Sequence, residues 1–261
     1  MRVLIPWAVG LTLCVGVVVS TGFGQVAIRN STAPPGDSIA SKNVPEFTFI
    51  LFWKQQDANT QQFSETVRSA AAQQSERATW TSVDIKDPAN RSVVDHYGAS
   101  RAPMPLAICV ANNGAVTGVF TRRPNMEALE RSLVTPAMAE VTKALQDKKI
   151  VIVHVRPTPQ TPLPAGAAAF TADPDFQART AIINVVLGDP IESRFLADMQ
   201  LSPQNVNDSM LVIMAPPGVL VGKFNAAITN DEIAAKLHAA GKCCSDPNCK
   251  HNKQANNNDS K

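Results

Sequence analysis

Ala111-Asn112-Asn113-Gly114-Ala115-Val116-Thr117-Gly118-Val119-Phe120 and Ala215-Pro216-Pro217-Gly218-Val219-Leu220-Val221-Gly222-Lys223-Phe224 fit one pattern, Ala-x-x-Gly-x-(Val/Leu)-x-Gly-x-Phe, without a gap and 104 residues apart. Each is preceded by an apolar run, Leu106 to Val110 and Met210 to Met214. An apolar run, a Gly-bearing turn and a second short run predict a β-hairpin. A helical spacing of apolar residues follows each copy, in Met126, Leu129 and Leu133 and again in Ile233 and Leu237. Thr229-Asn230-Asp231-Glu232 supplies an N-cap and an acidic first turn for the second of these helices.

Upstream the match continues with an offset near 102. Val83-Asp84-Ile85-Lys86-Asp87-Pro88 parallels Val185-Val186-Leu187-Gly188-Asp189-Pro190, and Phe49 to Trp53 parallels Val151 to Val155. These short apolar runs read as buried strands. Between the first two, Thr60 to Gln74 carries Phe63, Val67, Ala70 and Ala71 on one helical stripe. The predicted order in each copy is strand, helix, strand, helix, strand, strand, helix. Alternating strands and helices predict a parallel core, with the closing hairpin as its antiparallel edge. Each copy is long enough for a small core of its own.

The flanks are different. The chain has 261 residues, of which 44% are hydrophobic and 18% charged, with a net charge of +2. Those values argue against wholesale disorder and give no sign of the basic balance of a nucleic-acid binder. Residues 1–24 read as an export signal: Arg2, an apolar stretch from Val3 to Val19, then small residues through Gly24. The alternative is an uncleaved membrane anchor, for which the apolar run is at the short edge. Residues 25–45 are rich in Ser, Pro and Asn and read as a disordered linker. Asn-x-Ser/Thr sequons stand at Asn30, Asn90 and Asn207, and matter only in a glycosylating host.

Tyr97-Gly98-Ala99-Ser100-Arg101-Ala102-Pro103-Met104-Pro105, ahead of the strand from Leu106, resembles the approach to the third core strand in the thioredoxin-like family. The resemblance implies an α/β fold of two tandem thioredoxin-like domains, each a central mixed sheet flanked by helices. Residues 46–134 form the first and 148–241 the second, more divergent one, joined by a connecting helix over 135–147 that carries Met138, Val141 and Leu145. It also implies a cis-proline facing the active site. Counting back from the hairpin glycine favours Pro105, and counting forward from Tyr97 favours Pro103. In the second copy Asp208 and Ser209 replace the proline.

The departure from the family matters as much. Thioredoxin-like oxidoreductases carry Cys-x-x-Cys at the start of the helix after the first core strand, where the helix N-terminus lowers a thiol pKa. Here that stretch is Trp53-Lys54-Gln55-Gln56-Asp57-Ala58-Asn59-Thr60, and in the second copy Arg156-Pro157-Thr158-Pro159-Gln160-Thr161-Pro162, neither with a cysteine. Asp57 and Thr60 read as capping residues. Cys109 reads as an inert core thiol, Cys14 as part of the export signal, and His96 and His154 as structural, without evident partners.

Three of the five cysteines lie in the tail over 242–261, as Cys243, Cys244 and Cys249, with His251 beside them. Three sulfurs and an imidazole form the donor set of a Zn or Cu(I) site. Pairing of Cys249 with Cys243 or Cys244 competes, leaving one thiol over. Three functions follow: an exported non-catalytic binding or scaffold protein with protein partners; a metal-binding protein using the tail; and a thiol–disulfide oxidoreductase using the tail cysteines.

Overall fold

The computed structural model describes residues 45–202 and 208–240. The export signal, almost all of the linker and the whole Cys243, Cys244, Cys249 and His251 cluster lie outside the described residues, as does Cys14.

The first domain runs β1 (Phe47–Trp53), α1 (Ala58–Gln73), β2 (Ala78–Asp84), α2 (Arg91–His96), β3 (Leu106–Ala111), β4 (Val116–Phe120) and α3 (Met126–Ser132). Helix α4 (Pro136–Gln146) leads into the second: β5 (Ile150–Arg156), α5 (Ala165–Ala172), α6 (Pro174–Gln177), β6 (Thr180–Val186), α7 (Ser193–Asp198), β7 (Met210–Ala215), β8 (Val219–Asn225) and α8 (Asn230–Ala239). The sheets have matching strand orders, β2-β1-β3-β4 and β6-β5-β7-β8. Each is a four-stranded mixed sheet with helices packed against it, and two such units in tandem make the thioredoxin-like architecture.

The sheets are not parallel at their core, contrary to the strand–helix alternation. Only β1/β2 and β5/β6 are parallel; β3 and β7 run antiparallel to the central strand. The crossover explains this. Helix α2 has six residues, about 9 Å of rise, against roughly 23 Å for a seven-residue strand. It cannot carry the chain back along the sheet, so β3 starts beside the end of β1, with Leu106 opposite Phe52.

Strand β1 is buried on both faces. Phe47, Phe49 and Leu51 pack with Phe63, Val67, Ala70 and Ala71 of α1 and Leu129 of α3. Ile50 and Phe52 pack on the opposite face with Val94, Leu106 and Ile108. In the second domain Ile150 and Ile152 meet Phe170 of α5 and Ile233 and Leu237 of α8, whereas Val151, Val153 and Val155 meet Val141 of α4 and Phe195 of α7. Phe47, Phe49 and Leu51 therefore correspond to Ile150, Ile152 and His154, an offset of 103. The offset of 102 for this strand is corrected by one residue, which exchanges the two faces.

The hairpin repeat has a physical cause. Gly114 and Gly218 turn the chain at φ +84° and +132°, where a side chain is strained. At Gly118 and Gly222 the aromatic ring two residues on lies across the backbone. A Cβ would stand 3.0 Å from the Phe120 ring and 2.5 Å from that of Phe224. Both hairpins shift register at the same place, after Cys109 and after Ile213.

Helix α4 serves both cores. Ala139 packs with the first domain's α1/α3 cluster, and Ala137, Val141 and Ala144 with the second domain's α7 cluster. Pro136 fits the first helical position, and Thr135 accepts from the Met138 N–H. The buried Glu192 accepts from the Ala137 N–H at 2.9 Å, tying the loop before α7 to this helix start. At the other end the Gln146 side chain accepts from the Val116 N–H at 3.0 Å and donates to the Val116 C=O at 2.8 Å. It thereby caps the open edge of β4. Among the described residues no helix is long and apolar enough to cross a membrane.

Candidate functional site

The ends of β1 and β3 in the first domain, and of β5 and β7 in the second, are where the fold gathers polar groups. In the first domain Asp57 caps α1, its carboxylate accepting from the Thr60 N–H at 2.8 Å. That hydrogen bond holds the Asp57 carboxyl below its usual pKa. Asp57 and Thr60 stand three apart at the start of the helix after the first core strand, in a stretch from Trp53 to Thr60 that holds no cysteine. Trp53 donates its indole N–H to Ser82 Oγ at 2.8 Å. The Met104–Pro105 bond, directly before β3, is cis. Pro103 has no cis bond among those described; the second cis bond, Pro216–Pro217, lies in the β7–β8 hairpin.

Cys109 is fully buried in the middle of β3, its Sγ 3.7 Å from the Ser132 carbonyl. Burial pushes its pKa up, so it holds no thiolate at neutral pH. His96 stacks edge-on against Tyr97 at the end of α2. Arg123 reaches Gln62 at 2.9 Å from an exposed turn.

The second domain carries a different set. His154 is 1% exposed and both ring nitrogens have partners. Nδ1 lies 3.1 Å from Asn184 Oδ1, and Nε2 lies 2.5 Å from Ser209 Oγ. The sequence shows no evident partner for His154, and the fold supplies two. Desolvation lowers the His154 pKa, as does the positive charge of Arg156, while the bond to Asn184 opposes both. Neutral imidazole is the resident form. Asn184 Oδ1 is an acceptor only, so the ring proton sits on Nδ1 and bare Nε2 accepts from the Ser209 hydroxyl.

Each of the three has a counterpart in the first domain. His154 pairs with Asn184 across β5/β6 as Leu51 pairs with Ser82 across β1/β2. Ser209 precedes β7 as Pro105 precedes β3. The sequence held a trace of this: a histidine inside an apolar run, and a serine in place of proline. The partnership escaped because Asn184 and Ser209 lie 30 and 55 residues from His154. A cleft of about 480 Å³ opens nearby in sequence, lined by Asp189, Pro190, Ser193, Leu196 and Gln200, and includes none of the three. Among the described residues no group of three or more His, Cys, Asp or Glu side chains could hold a metal ion.

No protein-family model and no curated protein matches the chain. Similar solved structures include the zinc-bound form of human ERp44, at 10% identity, TM-score 0.33, covering 77% of this chain and 56% of that one. The N-terminal domain of alkylhydroperoxide reductase AhpF from Enterococcus faecalis matches at 15% identity and TM-score 0.30, covering 74% and 90%. The first two thioredoxin domains of Naumovozyma dairenensis Eps1p match at 8% identity and TM-score 0.29, covering 76% and 91%. The thioredoxin-like assignment rests on strand order, strand sense and helix placement in each half.

Proposed function

We propose that this chain is an exported binding or scaffold protein whose two thioredoxin-like domains do no thiol–disulfide exchange. The observation that carries the reading is the occupant of the helix start after β1. The stretch from Trp53 to Thr60 holds no cysteine, and Asp57 and Thr60 in it are joined to each other as an N-cap. The loop from Pro157 to Pro164 in the second domain also lacks sulfur. Disulfide exchange needs an accessible thiolate, and Cys109 is buried with a raised pKa. The signal-like residues 1–24 support export. Protein partners fit a double domain that keeps the fold without its chemistry.

Insulin reduction tests this directly. The full chain and a Cys243→Ser/Cys244→Ser/Cys249→Ser variant are expected to show no turnover above the uncatalysed rate. Turnover that survives in the variant would overturn the reading. Turnover lost in the variant would move the activity to the tail thiols.

A further inference from the structure

We propose that Ser209 is a reactive nucleophile, activated by His154 as general base with Asn184 as positioning residue, and that the second domain accepts a small acyl or phosphonyl group there. This goes beyond the binding reading, which concerns thiols, and stands or falls separately from it.

The geometry is directional. Asn184 Oδ1, 3.1 Å from Nδ1, fixes the tautomer. That leaves the Nε2 lone pair aimed at the Ser209 hydroxyl at 2.5 Å. A nucleophile, a base within hydrogen-bond reach and a third group orienting the base are the arrangement that makes a hydroxyl attack at neutral pH. Three positions on β5, β6 and the entry to β7 differ together from the first domain, where Leu51 is part of the apolar core and Ser82 bonds Trp53 instead. Neutral His154 is competent to take a proton, and its lowered pKa keeps it so.

Burial sets the substrate class. Ser209 is 7% exposed, so its reactant has to be slim, an activated carboxylic ester of small groups rather than a peptide or a bulky lipid. In the forward step Ser209 Oγ bonds to the ester carbonyl carbon while its proton passes to His154 Nε2. The tetrahedral intermediate then expels the alcohol, which takes that proton as its C–O bond breaks. Water, deprotonated by Nε2, releases the acid and restores the serine. With an alkyl fluorophosphonate the Oγ–P bond forms, the P–F bond breaks, and the proton leaves with fluoride.

The test uses the full chain and a small alkyl fluorophosphonate, with intact mass and peptide mapping as the readout. One phosphonyl adduct on Ser209 is expected, and none in Ser209→Ala. His154→Gln should slow labelling at least about a hundredfold, the low end for loss of a general base. Asn184 is exposed, so Asn184→Leu tests the relay even if the His154 variant fails to fold. It should slow labelling about tenfold or more with an unchanged circular dichroism spectrum, and Asn184→Asp, which keeps the acceptor oxygen, should restore it. No adduct, an adduct elsewhere, or a Ser209 adduct forming equally fast in all the relay variants would overturn the proposal. Turnover of p-nitrophenyl acetate that depends on the same three residues would extend it from labelling to hydrolysis.

Discussion

The same point in two copies of one fold is built in opposite ways. Around the end of β1 the first domain places Leu51 in an apolar cluster and cis Pro105 before β3. Around the end of β5 the second places His154, Asn184 and Ser209 in one hydrogen-bonded chain. The helices beside these points differ as well. Helix α1 has 16 residues and a side-chain cap, whereas α5 has eight and starts after Pro164 without one. Strand order and hairpin chemistry are held constant, so the fold tolerates both solutions. A buried polar side chain is accommodated where it is partnered, and the buried His154, with both ring nitrogens partnered, takes the place of the buried Leu51.

The largest effects belong to what the domains share. Phe49 and its counterpart Ile152 are both fully buried. Phe49→Ala should cost about 3–5 kcal/mol and Ile152→Ala about 2–5 kcal/mol. Because α4 contributes to both cores, we expect one thermal transition that either substitution moves as a whole. Differential scanning calorimetry decides. Two separate transitions, with only one displaced by each substitution, would show that the domains unfold independently.

The parts of this architecture legible in sequence are those with a local cause. Gly114, Gly118 and Phe120 recur as Gly218, Gly222 and Phe224 because a turn and a ring over a glycine demand them. Helices α3, α4 and α8 follow their apolar spacing, and Thr229 with Glu232 forms a reciprocal capping box. The strand sense was not legible, because it depends on how far α2 carries the chain. The one-residue slip between β1 and β5 has a similar origin. Both runs are apolar on both faces, so no alternation marks which side chain points where. With the slip, His154 sits on the wrong face to meet Asn184 and Ser209. The thiol-free helix starts were legible directly.

His154→Leu gives the second domain the first domain's residue and separates the two solutions more sharply. It leaves the Ser209 hydroxyl, 7% exposed, without its partner, at a cost of about 1–3 kcal/mol. Adding Ser209→Ala to His154→Leu should recover part of that loss, giving a coupling between the two sites in a double-mutant cycle. Strict additivity in urea titrations would mean that the contact contributes nothing.

The pH dependence follows from the same residue. His154 titrates lower in the folded chain than its ordinary 6.5, chiefly through burial. The unfolded chain therefore binds the extra proton first as pH falls. Stability attributable to the neutral ring is complete above pH 6.5 and is lost below it, down through the folded-state value. Wild type should lose stability more steeply than His154→Leu/Ser209→Ala in that window, measured by urea midpoints at stepped pH. Parallel curves for the two proteins would sink this assignment.

The smallest expected effect lies at the sheet edges. Val116 of β4 is clamped by both ends of the Gln146 amide, whereas its hairpin counterpart Leu220 in β8 stands 49% exposed. Gln146 itself is exposed, so water replaces much of what the clamp supplies. Gln146→Leu should therefore cost only about 1 kcal/mol in denaturant titrations. Its clearer signature is local. Amide exchange at Val116 should quicken while that of β3 stays unchanged, because β3 keeps its ladder to β1. Unchanged exchange at Val116 would mean that the side chain merely lies along the strand, and that the first domain's edge is protected by something other than α4.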